Sequence, residues 1–212
     1  MRPQLIETLR VEPDGRMPLL PWHLERLSAS VSALGYRWSV EVVQRAIARE
    51  AADLAEGLTH RMRVLVADDG KIDITHAPLD LLPALPKVTI ASTRLQSNAP
   101  LLRHKTTHRP WYDDAPAWLA EHPAYFDLLY LNERGEVCEG SRTNVYVLRD
   151  GAWLTPPVSC GLLPGAKRAE LLDNEEVEEA VLTLADLQGA TGLRLSNALR
   201  GWFDVVLDPV AA

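Results

Sequence analysis

The segment Phe126–Val147, FDLLYLNERGEVCEGSRTNVYV, begins and ends as a strand should, with Leu128 to Leu131 at one end and Val145 to Val147 at the other. Between them Asn132-Glu133-Arg134-Gly135 has the residues of a tight reversal. The return limb breaks the pattern. A sheet favours β-branched residues, yet Glu136 to Asn144 offers carboxylates, a glycine and a run of hydrogen-bonding side chains. Either the sheet ends there in a solvated loop, or these groups face a ligand.

Working outward, residues 5–12 alternate as a strand and close on the turn Pro13-Asp14-Gly15. Pro21 opens a helix whose apolar stripe is Leu24, Leu27, Val31 and Leu34, stopped by Gly35. Ser39 can cap a second helix to about Leu54, with Val42, Val43, Ala46 and Ile47 as its buried face. His60 to Ala67 and Lys71 to Thr75 read as a hairpin across Asp68-Asp69-Gly70. The Pro-rich stretch 81–86 is the best boundary between two lobes, residues 1–82 and 83–212. Lys87 to Ser92 is a strand, and a helix is expected from Thr106 or Pro110 to about Glu121. Beyond the central segment, Ala152–Thr155 and Glu176–Leu182 read as strands. Helices follow from Ala166 and from Leu184, and two more strands flank Arg200-Gly201. Strands and helices mix without a regular βαβ beat, so the expected class is α+β.

Bulk properties narrow the function. The 212 residues suffice for a real core, and 47% apolar with 24% charged residues is ordinary for a globular protein. A net charge of −7 argues against a general nucleic-acid binder. No apolar run has the length of a membrane span, and the N-terminus lacks a secretory core, so the cytoplasm is the expected location. Two cysteines, Cys138 and Cys160, form neither a disulfide framework nor a metal-ligand pattern, and no metal is expected. GxGxxG and GxxxxGK[ST] are both missing, which removes two common nucleotide signatures.

Chemistry concentrates in three places. Between Asp80 and Asp113 there is no acidic residue, while Lys87, Arg94, Arg103, Lys105 and Arg109 all fall there. Lys105 lies in LLRHKTTHR, after two leucines and among other cations. Such surroundings disfavour the ammonium and make the amine a better nucleophile; a surface lysine is the plainer alternative. GLLPGAKR, residues 161–168, runs a glycine-flanked turn into a helix start, where free backbone N–H groups suit a phosphate. LRLSNALRG sets Ser196-Asn197 between apolar residues, with Arg200 at a turn.

Arg26 in HLERL, Lys105 in HKTT, Glu139 in EGSRTN, the GLLPG turn and SNALRG occur in this order. Together they resemble the class IV aminotransferases, the fold-type IV pyridoxal-phosphate enzymes, over nearly the whole chain. LLRHKTTHRPWYDDA and the central segment look most like the aminodeoxychorismate-lyase branch. The resemblance implies a two-lobed fold like that of D-amino-acid aminotransferase, with a small N-terminal α/β lobe and a larger β-rich C-terminal lobe. It implies pyridoxal 5'-phosphate as cofactor and a homodimer. Lys105 would carry the cofactor as a Schiff base, and Glu139 would bond the pyridine nitrogen. Arg26 would bind phosphate, with the backbone of Ala166 and Lys167 after the turn that holds Leu163. Ser196 and Asn197 would complete the cup, and Asn144 would orient the EGSRTN loop. Arg94, Arg103, Arg109 and Arg200 are the candidate partners for substrate carboxylates.

Some positions depart from the family pattern. A strand pair with DRG…GDG precedes the first strand in full-length members, whereas this chain begins near LIET, which bears on the small lobe or the dimer. Pro110 stands where branched-chain transaminases have a tyrosine, and Lys167 where a threonine is usual. The implied reaction is conversion of 4-amino-4-deoxychorismate to 4-aminobenzoate and pyruvate, in folate biosynthesis. The alternatives are a transaminase of branched-chain or D-amino acids and a non-catalytic protein of the same fold.

Overall fold

The computed structural model describes residues 2–54, 57–82 and 85–208. Its contacts divide the chain into two units, one of residues 1–81 with 104–108, the other of residues 82–103 with 109–212. The boundary stretch 81–86 includes positions 83 and 84, which lie outside the described residues.

The first unit is a three-stranded antiparallel sheet with two helices. It comprises β1 (Leu5–Val11), α1 (Leu20–Leu34), α2 (Val40–Ala52), β2 (His60–Val66) and β3 (Ile72–Pro78), with β2 central. Leu5, Leu9 and Val11 alternate inward from β1 and meet Leu27 of α1 and Val43 and Ile47 of α2 in one apolar core. Gly35 ends α1 in the left-handed conformation, φ 64°, which a glycine adopts without strain. The apolar face of α2 is narrower than the sequence suggests. Val42 is 45% exposed, because only Val43 and Ile47, four apart, point at the sheet.

The HKTT stretch is no helix start. Leu5 bridges Thr106 in antiparallel fashion, the Ile6 N–H donates to the Lys105 carbonyl at 2.8 Å, and Gln4 and Thr107 bond each other. Residues 104–107 therefore run along the free edge of β1. A helix there would leave that row of donors and acceptors unpaired.

The second unit is built on a nine-stranded mixed sheet. β4 (Lys87–Leu95) lies parallel to β5 (Tyr125–Asn132), with α3 (Ala115–Glu121) between them in sequence, preceded by a 3₁₀ turn at Pro110–Tyr112. β6 (Val137–Gly140), β7 (Asn144–Arg149) and β8 (Ala152–Thr155) follow as an antiparallel run. Then come α4 (Ala166–Asp173), β9 (Glu178–Glu179), α5 (Leu184–Gln188), β10 (Gly192–Asn197), β11 (Gly201–Asp204) and β12 (Val206–Leu207). The strand expected over 176–182 shrinks to the two residues of β9, parallel to β8. Val145, Val147, Leu193 and Leu195 form the middle of one apolar cluster, and Leu128, Tyr130, Tyr112 and Leu162 belong to another.

Against the solvated-loop alternative, the return limb is a buried strand: all four residues of β6 are inaccessible. Its polar run is explained largely by Asp127. The Asp127 carboxylate accepts from the Ser141 N–H (3.0 Å) and hydroxyl (2.5 Å), the Thr143 hydroxyl (2.7 Å) and the Arg142 N–H (3.2 Å). A side chain at Gly140 would collide with both Asp127 Oδ2 and Thr143 Oγ1, so the turn closes only around a glycine.

Candidate active site

In the first unit Lys105 is half-buried on the edge segment beside β1. Two residues along β1, Glu7 is 2% exposed and faces α1, where His23 is equally buried. Glu7 Oε2 lies 2.6 Å from His23 Nδ1, and the Arg26 guanidinium forks onto both Glu7 oxygens at 3.0 and 2.5 Å. Bidentate pairing of this kind fixes a guanidinium in direction as well as place. Burial alone would raise the Glu7 carboxyl, but the charges and hydrogen bonds of Arg26 and His23 outweigh it and hold the group at about 2. Burial lowers His23, whose Nε2 has no partner among the described residues. One turn on, Ser30 bonds His104, the neighbour of Lys105, at 2.9 Å. The Lys105 charge adds to the burial that lowers His23.

In the second unit the register sets three of the anticipated residues in a line. Glu139 of β6 pairs with Asn144 of β7, and Asn144 pairs with Ser196 of β10. Residues directly opposite across antiparallel strands project to the same face. With strands about 4.8 Å apart, the row from Glu139 to Ser196 spans roughly 10 Å. Glu139 is 3% exposed, and the Tyr112 hydroxyl donates to its Oε1 at 2.5 Å. Ser196 shares a hydrogen bond of 2.7 Å with the Tyr146 hydroxyl. Asn144 Nδ2 donates to the Leu163 carbonyl at 2.9 Å, which ties the GLLPG turn to the row.

That turn is shaped by close approach. A Cβ at Gly161 would lie 2.6 Å from the Ser97 backbone, and one at Gly165 would overlap Asn144 Oδ1. Gly165 is the N-cap of α4 and supplies no side-chain cap, so the first N–H groups of Ala166 and Lys167 face outward from the helix start. The Lys167 ammonium pairs with Glu170. Asn197 Nδ2 reaches the Arg142 carbonyl at 3.4 Å, and its Oδ1 accepts from the Leu199 and Arg200 N–H groups. SNALRG is thereby joined to EGSRTN.

The four arginines separate. Arg109 donates to the Ser141 carbonyl at 2.9 Å and lies over the Tyr112 ring at 4.6 Å. Arg200 follows the Asn197 turn. Arg94 on β4 and Arg103 are exposed, and neither belongs to the row. Arg109, Tyr112, Ser141 and Arg142 also line a 650 Å³ cavity backed by Pro116 and Leu119 of α3.

The donor set suits pyridoxal phosphate on chemical grounds. A buried carboxylate at one end of the row matches a protonated ring nitrogen, while a hydroxyl and uncapped helix N–H groups at the other match a phosphate.

The family model described as "Amino-transferase class IV" matches residues 4–207. The chain belongs to the class IV aminotransferase family. These are pyridoxal-phosphate-dependent enzymes, and the mixed, sheet-rich architecture here is their fold-type IV. Among class IV relatives, a Schizosaccharomyces pombe protein named "Putative aminodeoxychorismate lyase" is 31% identical, over 88% of this chain and 83% of its own. A crystal structure of a "Putative amino-acid aminotransferase" from Mesorhizobium loti superposes with a TM-score of 0.89 at 35% identity, covering 98% of this chain and 100% of that one. The 4-amino-4-deoxychorismate lyase of Pseudomonas aeruginosa gives a TM-score of 0.78 over 97% of this chain and 83% of that one. At 23% identity that likeness is one of fold.

Sequence reading passed over the residues that hold the named ones. Glu7 had a usable signal, since it occupies an inward position of β1 in step with Leu5, Leu9 and Val11. Asp127 had one too, as a lone carboxylate in the apolar run FDLLYL. Tyr112 in RPWYDD had none, because only the tertiary fold brings it to Glu139.

Proposed function

We propose that the protein is a 4-amino-4-deoxychorismate lyase, releasing 4-aminobenzoate and pyruvate. The observation that carries the site is the row Glu139–Asn144–Ser196 ending near the start of α4. What favours the lyase is the extent of identity to the fission-yeast relative. What keeps an amino-acid aminotransferase as the second reading is the still higher identity to the Mesorhizobium loti protein.

In this reading pyridoxal phosphate, when bound, withdraws electrons from the carbon that bears the substrate amine. Glu139 bonds the ring nitrogen and keeps its proton in place. The α4 N–H groups of Ala166 and Lys167, with Ser196 and Asn197, hold the phosphate, and Asn144 keeps the GLLPG turn at Leu163 in register with them. Arg26, braced by Glu7 and His23, adds a phosphate contact. Lys105 would hold the cofactor, and its freed amine would take the proton from the amine-bearing carbon as the substrate ring's bond to the enolpyruvyl oxygen breaks. The enolpyruvate leaving group takes up a proton to become pyruvate, and the substrate ring becomes aromatic. Arg109 and Arg200, with Arg94 and Arg103 as further candidates, meet the carboxylates. The same reading includes a cytoplasmic homodimer and lobes of residues 1–82 and 83–212.

The test is product identification with cofactor-loaded protein. Incubation with 4-amino-4-deoxychorismate should release 4-aminobenzoate, and Lys105→Ala should abolish that release along with the bound cofactor's absorbance. Rapid amino transfer from an amino acid to a keto acid, with no 4-aminobenzoate, rejects the lyase in favour of the aminotransferase. A purified protein that takes up no cofactor rejects both.

A further inference from the structure

Tyr112 is placed with unusual completeness for a side chain outside the anticipated site. Its ring is 6% exposed, packs edge-on against Tyr130 with centroids 5.0 Å apart, and carries the Arg109 guanidinium over its face. Arg109 is itself held by the Ser141 carbonyl, and the Tyr130 hydroxyl donates to Asp114 at 3.0 Å. Nothing in this packing leaves the phenol a choice of direction. Its hydroxyl donates to Glu139 Oε1. The phenol also keeps its proton: burial, reinforced by the Glu139 charge and the hydrogen bond itself, pushes it well above the ordinary 10. Tyr112 is therefore a fixed donor rather than an acid or base.

We propose that Tyr112 is a positioning residue that acts through Glu139, fixing the carboxylate's orientation and biasing a proton shared between Glu139 and a bound pyridine ring towards the ring nitrogen. This rests on the assignment of Glu139 to that nitrogen. A hydrogen bond donated to a carboxylate stabilises its ionised form. With one oxygen held by Tyr112, the carboxylate competes less well for the shared proton, and the ring keeps it. No bond to carbon changes in this step; only the position of one proton between two acceptors is set.

The first measurement needs no cofactor. In apo protein labelled with ¹³C at glutamate carboxyl carbons, the Glu139 resonance is assigned by its loss in Glu139→Gln. Tyr112→Phe keeps the ring and its contacts with Tyr130 and Arg109. It should raise the midpoint of Glu139 by about one pH unit or more, as expected when a hydrogen bond to a charged group is lost. An unchanged midpoint overturns the proposal. If Tyr112→Phe fails to fold, 3-fluorotyrosine at position 112 supplies a stronger donor of nearly the same shape. It should lower the midpoint, and no change again overturns the proposal.

The second measurement uses loaded protein with ¹⁵N at the pyridine nitrogen. Tyr112→Phe should move that resonance towards its unprotonated position, and an unmoved resonance, where Glu139→Gln does move it, overturns the proposal alone. If Glu139→Gln leaves the nitrogen unaffected, the assignment of Glu139 to the ring fails and the proton-sharing role of Tyr112 falls with it. The apo titration separately decides whether Tyr112 tunes the carboxylate.

Discussion

Replacing Asp127 with alanine removes the acceptor around which residues 141–143 turn. Ser141 N–H keeps the Leu128 carbonyl at 3.1 Å, and Arg142 is exposed enough for water to serve its N–H. The Leu128 N–H also loses an acceptor at 2.9 Å, and the side chains affected are the hydroxyls of Ser141 and Thr143, both buried and both now bonded to a charged oxygen. Hydrogen bonds to a charged group contribute about 1.5–3 kcal/mol each. Against this, burial pushes the Asp127 carboxyl up more than its hydrogen bonds pull it down, so alanine also relieves a desolvated charge. The balance is a loss of roughly 2–4 kcal/mol, a large part of the 5–15 kcal/mol that holds a typical domain. Urea unfolding at pH 7, followed by tryptophan fluorescence, measures it. The collision at Gly140 supplies an internal control. Gly140→Ala should destabilise strongly alone but less beside Asp127→Ala, where one of the two obstructing oxygens is gone and Thr143 Oγ1 is released from its bond to the carboxylate. A loss below about 1 kcal/mol for Asp127→Ala, or simple additivity in the pair, would refute the reasoning.

Two further outcomes concern ionisation. With Glu7 held at about 2 against 4.5 for an ordinary glutamate, its stabilisation is present above pH 4.5 and is lost as pH falls towards 2. It amounts to about 3 kcal/mol; acid unfolding should show that slope, and Glu7→Gln should flatten it. Burial pushes the Cys160 thiol up to about 11 and that of Cys138 higher still. Neither should react with a thiol reagent at pH 8 until urea unfolds the second unit; fast labelling of native protein contradicts this.

Most of the element pattern is legible because it depends on near neighbours in sequence. The stop at Gly35, the hairpin turn at Asp68-Asp69-Gly70 and the strands about Asn132–Gly135 follow from local backbone preference and alternation. The failures share a cause. Thr106 looks like part of a helix start until Leu5 offers an edge to pair with, and Val42 looks buried until the direction of the sheet is known. The candidate site divides in the same way. Lys105, Glu139 and the GLLPG turn stand out only together, through the family resemblance that their order carries, whereas Tyr112 acts at a distance along the chain. Its role depends on the separation of 27 residues between Tyr112 and Glu139.

The edge pairing beside β1 bears on how the chain brings Lys105 into place. Gln4 and Thr107 are 103 residues apart, so the bond between them closes one of the longest loops in the molecule. Contacts of that span are late and slow to form. During synthesis the first unit's sheet must wait, one edge bare, until residues 104–107 emerge. An unpaired edge of this kind invites pairing with another chain. Residue 105 thus reaches its place only when this long-range pairing forms, and a chain cut short before residue 104 leaves β1 with an unpaired, adhesive edge.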